Sequence, residues 1–445
     1  MITQSRKDKK YYCLNKKMVS LFSRYCIIFN RFNKGSEIVA NKYIRKFRRL
    51  KKEGQNSTYM KNTKKVLEKR AAKLGIIVAV ILIIVGALFF YKKYHKYTTY
   101  KVIESTNIKG GASSKYIPFG DYVIKYSYDG IAYIKDKETV WEEAYEMKQP
   151  IIDVCDDYVA IADKNTNDIF IYNDKGRQGQ VSVSYPIVKL EVAKQGVVAA
   201  LLEDKTSNYI EVYDKEGKQL VSHKSIIDEN GYPINFSMSD DGERMAVSYL
   251  TVKNGSFENK IQFYDFSNSG KNIENRMVKE FSGYGETIVP TISYVSNSQV
   301  VAIGEDIVSI YKVGNKDITK KDIKIKEEIQ KVFYNDKYVG LVFKNASTDR
   351  PYRIEVYNSS GSQILNATVD MEGAIGFSSS LSPKVTVEKG ANITARDMRC
   401  EILSIKGVKK FQTNFKGQIY GLMPYDDSKT YLLMTNSKIQ KIRLK

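Results

Sequence analysis

Two histidines, four cysteines and a scatter of adjacent acids are the residues of this 445-residue chain whose types could do chemistry. Ser-His-Asp catalysis needs a histidine beside a nucleophile and an orienting acid, and a histidine-built metal site needs several together. His95 follows a strongly apolar run and His223 stands alone far downstream, so neither arrangement can be assembled. Glycine-rich phosphate loops, G-x-S-x-G and C-x-x-C are missing from the sequence. Cys13 and Cys26 fall near the N-terminus, while Cys155 and Cys400 fall in well-separated repeats and read as free, buried thiols. No catalytic, cofactor-binding or metal-binding residue is assigned, and no cofactor is expected.

Two acidic patterns test that reading. DKNTNDIFIYND (163–174) puts Asp163, Asn165, Asn167 and Asp174 at positions 1, 3, 5 and 12 of a calcium-loop template. The template requires Gly at position 6 and Glu at 12, where Asp168 and Asp174 stand, and residues 169–172 alternate as a strand. The segment reads as a hairpin turn. The pairs Glu142/Glu143, Asp156/Asp157, Asp240/Asp241 and Asp426/Asp427 suggest glycoside hydrolysis. Neighbours on a strand point to opposite faces, however, and three of the pairs fall at turns, so they read as solvated turn acids.

The elements that must position these residues form a repeat. Short alternating runs rich in Tyr, Val and Ile are punctuated by Gly, Asn and Asp, which predicts an all-β domain. One marker recurs, in IFIYNDKG, IEVYDKEG, IQFYDFSN, VSIYKVGN and IEVYNSSG. Its aligned positions are Ile134, Tyr172, Tyr213, Tyr264, Tyr311, Tyr357, Ile405 and Ile442, about 44 residues apart, the period of a four-stranded propeller blade. Such a sheet cannot bury both faces alone, so a ring of seven or eight four-stranded blades is expected. The last repeat lacks an outermost strand before the chain stops at Lys445, and TTYKVI (98–103) is expected to pair there and seal the ring. One tyrosine per repeat in the same slot predicts blade packing rather than sugar stacking.

Ahead of the repeats, residues 74–91 (LGIIVAVILIIVGALFFY) carry no charge, and thirteen of them are Leu, Ile, Val or Phe. That predicts one transmembrane helix, favoured by about 5 kcal/mol. Residues 1–73 hold 22 Lys and Arg against four acids, whereas residues 102–445 hold 45 basic and 46 acidic groups. The expected organisation is a basic cytoplasmic tail (1–73), the span (74–91), a juxtamembrane linker (92–97) and an extracytoplasmic propeller (98–445), with the cation-rich side inside. Within the tail, Met18, Leu21, Phe22, Tyr25, Ile28, Phe29 and Phe32 recur at helical spacing among basic residues. They suit a surface helix on anionic lipid headgroups, with nucleic acid or a disordered tail as alternatives. Met60 opens a second possible start.

The segments FGDYVIKYSYDGIAYI, QPIIDVCDDYVAIAD and GYPINFSMSDDGERMAVSYL resemble those of a clostridial, Gram-positive family of membrane-anchored, propeller-like proteins known only as a domain of unknown function. FSMSDDGERMAVSY (236–249) also resembles the S-x-D-G turn of TolB-like and WD40-like blades. Trp141 is similar to the tryptophan that ends quinoprotein-type repeats, but it is the only one in the chain. The resemblance implies a single anchor and an outward propeller, with no assigned activity. A non-catalytic binding or scaffold module of the cell envelope is therefore expected, whose partner is a protein, peptide or wall polymer. The alternatives are a wall-glycan hydrolase or lyase, which converging carboxylates at the channel mouth would favour, and a sensor coupling the propeller to the basic tail.

Overall fold

The computed structural model describes residues 57–445 apart from 109–113, 121, 136–137, 254, 316, 348, 370–390, 397–398, 405–406, 417–418, 426–428 and 436. The amphipathic pattern proposed for residues 18–32, Ile405 and the pair Asp426/Asp427 lie outside the described residues. Two compact units divide between Lys93 and Tyr94.

The first unit contributes α1 (Ser57–Tyr94), into which the expected span 74–91 falls. Among the described residues no helix is long and apolar enough to cross a membrane. The side chain of Leu74 lies outside them. The uncharged run that remains, 75–91, is exposed apart from half-buried Gly86, with Ile76, Leu82 and Phe89 63 %, 65 % and 65 % exposed.

The second unit is all-β. Its strands, in chain order, are β1 (Tyr100–Asn107), β2 (Lys115–Phe119), β3 (Tyr122–Tyr126), β4 (Gly130–Lys135), β5 (Glu138–Ala144), β6 (Pro150–Cys155), β7 (Tyr158–Asp163), β8 (Asp168–Asn173), β9 (Gly176–Ser182), β10 (Ile187–Val192), β11 (Val198–Glu203), β12 (Ser207–Tyr213), β13 (Gln219–Ile226), β14 (Tyr232–Met238), β15 (Arg244–Lys253) and β16 (Ser256–Asp265). They continue with β17 (Met277–Phe281), β18 (Thr291–Ser296), β19 (Gln299–Ile303), β20 (Ile307–Val313), β21 (Ile318–Lys324), β22 (Ile329–Tyr334), β23 (Tyr338–Lys344), β24 (Tyr352–Asn358), β25 (Gln363–Val369), β26 (Ala391–Arg396), β27 (Arg399–Ser404), β28 (Lys409–Asn414), β29 (Ile419–Pro424), β30 (Thr430–Thr435) and β31 (Lys438–Leu444). Among the described residues these form seven four-stranded antiparallel sheets and one three-stranded sheet, β26–β28. Each run of four consecutive strands from β2 to β25 is one blade. The eighth sheet has the order β1-β31-β30-β29.

Each marker position within the described residues lies on the third strand of its sheet, where Tyr172, Tyr213, Tyr264, Tyr311 and Tyr357 are all buried. The residue two positions earlier shares their face of the strand. That residue receives the phenol proton of Tyr264 (Gln262 Oε1, 2.6 Å) and of Tyr357 (Glu355 Oε2, 2.6 Å), and Glu211 receives that of Tyr213. Trp141 on β5 stacks on Tyr172 of the next blade at 5.1 Å and 12°, and its Nε1–H donates to the Asn173 carbonyl at 3.1 Å. The tyrosines are packing pieces, as expected, and Trp141 packs with them.

Apolar clusters run continuously round the ring. One joins the eighth, first and second sheets through Leu432, Met434, Ile124, Ile134 and Val159. Six more join second to third, third to fourth and so on, up to the seventh and eighth, where Phe411 and Cys400 meet Tyr431 and Leu433. The expected seam is present: β1 pairs antiparallel with β31, from Tyr100 opposite Leu444 to Asn107 opposite Lys438.

Candidate functional site

The first strand of each four-stranded sheet from β2 to β25 is an edge strand, and the strands β6, β10, β14 and β18 lie side by side, so each leaves alternate N–H groups without a ladder partner. A side chain from the preceding blade satisfies them in three successive steps. Asp153 Oδ2 on β6 accepts the Val192 N–H at 2.8 Å. Glu191 Oε2 on β10 accepts the Met238 N–H at 2.7 Å. Ser237 Oγ on β14 accepts the Tyr294 N–H at 2.8 Å and donates back to Glu191 Oε2 at 3.1 Å. Lys189 completes the arrangement, with its ammonium 2.8 Å from Glu191 Oε1, 2.6 Å from Asn235 Oδ1, bonded to the Phe236 carbonyl and 4.8 Å above the Phe236 ring.

Above this layer opens a cavity of about 470 Å³. Its floor is the ends of the inner strands, including Asp153, Glu191, Ser237 and Ser293. Its rim is the turns that follow them, with Asp156, Lys194, Asp240, Asn297 and Asp336. Five of the eight sheets thus contribute. The rim is tied from turn to turn: the Lys194 N–H donates to the Asp240 carbonyl at 2.9 Å, Gln195 Nε2 to the Asp241 carbonyl at 2.7 Å, and the Asp241 N–H to Asn297 Oδ1 at 3.3 Å. Asp156 pairs with Lys194 at 3.1 Å. The S-x-D-G turn forms as its sequence suggests. Ser239 Oγ donates to Asp241 Oδ1 at 2.6 Å and accepts the Arg244 N–H at 3.0 Å, while Gly242 takes a φ of 73° that a side chain would strain.

Burial, and then the neighbouring Glu191 charge, push Asp153 up to about 6, against the pull of the Val192 and Val154 N–H groups and Lys189. On β22, burial raises the Tyr334 pKa, with Glu191 and Asp153 adding to it and a bond to Ser293 opposing.

The sequence reading assigned no site residue, and it sorted Asp156 and Asp240 with solvated turn acids. Both sit at turns, but those turns are the cavity rim. Asp157 and Asp241 are their turn partners, and Glu142/Glu143 lie on the outer strand β5. The suspected calcium loop is split: Asp163, Asn165 and Asn167 lie at the β7–β8 turn and Asp174 at the far end of β8. Asp163 there accepts the Lys148 and Gln149 N–H groups at 2.9 and 2.6 Å. Among the described residues no group of three His, Cys, Asp or Glu side chains is placed to hold a metal ion. Among the described residues Cys155 and Cys400 are buried and form no disulfide, and burial raises the Cys400 pKa.

Residues 93–444 match the model of a family described as a family of unknown function, DUF5711. The chain belongs to that family. No curated protein matches in sequence. Among solved structures, the DUF5711 chain is similar to Sqt1 of Chaetomium thermophilum, with a TM-score of 0.49 and 10 % identity over 77 % of this chain and 98 % of that one. It is also similar to the structure of Sqt1 bound to the N-terminus of ribosomal protein L10 (TM-score 0.44, 10 %, 75 % and 92 %). A third is the Cps50 (Swd1) β-propeller domain of Myceliophteria thermophila (0.41, 10 %, 68 % and 97 %). The propeller architecture of this DUF5711 member stands on its own sheet order.

Proposed function

We propose that the chain is a single-pass, membrane-anchored propeller that works as a non-catalytic binding module outside the cytoplasmic membrane, with its partner seated at the cavity mouth. The observation that carries the binding reading is the employment of the deep carboxylates. Glu191 has both oxygens bonded, and Asp153 receives a backbone N–H, so these acids brace the ring. A floor held by cross-blade bonds and a rim of turns suit recognition of a protein, peptide or wall polymer. The anchoring half rests on the charge asymmetry and on the exposed apolar run of α1, whose free energy is lowest in a bilayer. Anionic headgroups would then hold the basic tail on the inner leaflet.

Photo-crosslinkers at Asn297 and Asp336 should trap a partner in cells, whereas one at Val140 on the outer strand β5 should not. Equal labelling from both places would remove the mouth from consideration. Protease added to intact cells should digest residues beyond 98 and spare the tail. The opposite pattern would reverse the topology.

A second reading is favoured by one observation. Asp153, Asp156, Glu191, Asp240 and Asp336 all line the one cavity, from floor to rim, the convergence a glycan hydrolase or lyase would need. Turnover of wall glycan by the purified chain, abolished by Asp240→Asn with the fold intact, would replace binding with catalysis.

A further inference from the structure

Two outer strands of the ring, β13 and β1, are alike in exposure but not in how their ends are held. β13 and β1 each bury one residue, Ser225 and Thr106 respectively. Each has an irregularity near its start, after Val212 on the strand opposite β13 and between Val102 and Glu104 in β1. A short turn of the chain, 214–218, joins β12 to β13. No such turn joins β31 to β1, because they come from opposite ends of the chain.

A non-covalent clamp stands in its place. The Tyr97 N–H donates to the Lys410 carbonyl of the seventh sheet at 2.7 Å. The Thr98 and Thr99 N–H groups donate to the Lys445 carbonyl at 2.9 and 3.2 Å, and the Lys445 N–H returns to the Thr99 carbonyl at 2.8 Å. The Lys429 ammonium lies 5.5 Å from the Tyr97 ring, and the Tyr100 ring packs on Phe415 at 4.9 Å. The clamp begins three residues after α1 ends at Tyr94.

We propose that residues 97–99 are the latch of the ring: displacing them frees the Tyr100 end of β1, which peels from β31 and leaves that blade open while the other blades stay folded. A short covalent turn keeps a frayed strand at high effective concentration, so that it rezips. A clamp of a few hydrogen bonds, with the Tyr97 ring held between the His95 ring (4.8 Å), the Lys429 ammonium and the edge of the apolar cluster, does so only while it is closed. The register slip leaves Ile103 without a partner and 47 % exposed, which divides the ladder into two short halves that open in succession. The conformation of the segment that follows α1 is thereby tied to closure of the ring. This holds whether or not α1 lies in a bilayer.

Hydrogen exchange on the full chain tests the latch, with β13 as the internal reference. After correction for intrinsic rates, hydrogen-bonded amides of β1 should exchange at least about tenfold faster than those of β13. Tyr97→Gly should widen the gap without changing β13. A disulfide from Lys101→Cys with Arg443→Cys, which face each other across the ladder, should close it. Equal protection of β1 and β13 in the unmodified chain, unchanged by Tyr97→Gly, would overturn the proposal.

Discussion

The Glu191 carboxylate on β10 accepts the Met238 N–H on β14 at 2.7 Å while its other oxygen holds Lys189 at 2.8 Å. One side chain therefore links two blades and neutralises a half-buried lysine. Asp153 and Ser237 make the same cross-blade bond one step before and one step after it.

Glu191→Ala should destabilise the propeller by about 1–2 kcal/mol, because it leaves the Met238 N–H unsatisfied and removes the counter-charge of a half-buried Lys189, which keeps Asn235 and the Phe236 carbonyl. Glu191→Gln keeps an acceptor for Met238 and should cost about half as much. Urea unfolding of both variants measures the difference, and equal costs would mean that the Lys189 charge is solvated.

Asp153 sets a pH dependence. Its folded-state pKa, raised to about 6 from 3.8, means that the native state holds the proton more tightly than the unfolded chain. Stability from this group is therefore fully present below pH 3.8 and is lost as pH rises towards 6. Asp153→Asn should flatten that part of the profile and leave the protein more stable at pH 7, by about 1 kcal/mol. Urea midpoints between pH 4 and 7 would record it. An unchanged slope would place the proton elsewhere in the mouth.

His223 should act with the opposite sign. Burial lowers its pKa, and its Nε2 lies 3.1 Å from Tyr249 Oη and 3.2 Å from Tyr264 Oη, where a neutral ring nitrogen can accept the Tyr249 hydrogen bond. Its contribution is complete above the unfolded value of 6.5 and is lost as pH falls through the lower folded value. Comparison of the His223→Gln variant with the native chain from pH 7.5 down to 5 should show a smaller acid loss in the variant.

Trp141 offers a local probe. Trp141→Ala removes the stack on Tyr172 and the bond to the Asn173 carbonyl and should cost about 3 kcal/mol, whereas Trp141→Phe should recover roughly half. As the chain has one tryptophan, its fluorescence reports the contact between the first two blades. A Trp141→Phe cost equal to that of Trp141→Ala would mean that the indole N–H matters more than the stack.

The repeat was legible because it is local. A third strand needs one large apolar residue on its packed face and a turn two residues later, and Tyr172, Tyr213, Tyr264, Tyr311 and Tyr357 recur for that reason. The seam was legible by subtraction, since the final repeat is one strand short and 98–103 had no other place. The mouth was not. Asp153, Glu191, Ser237 and Ser293 occupy equivalent positions on successive inner strands, yet their spacing is uneven. The ten-residue strands β15 and β16 and the long loop that follows them stretch the fourth blade.

Sequence alone determined what each short segment does with its own neighbours: the alternation that makes strands, the turns that end them, the repeat length, and the charge carried by each end of the chain. Tertiary structure alone decided which turn acids gather round one cavity and which strand acids brace the ring. That outcome depends on bringing residues 39 to 57 positions apart to adjoining edge strands. The hydrogen bonds that reward this form only between backbone groups whose register the closed ring has already set.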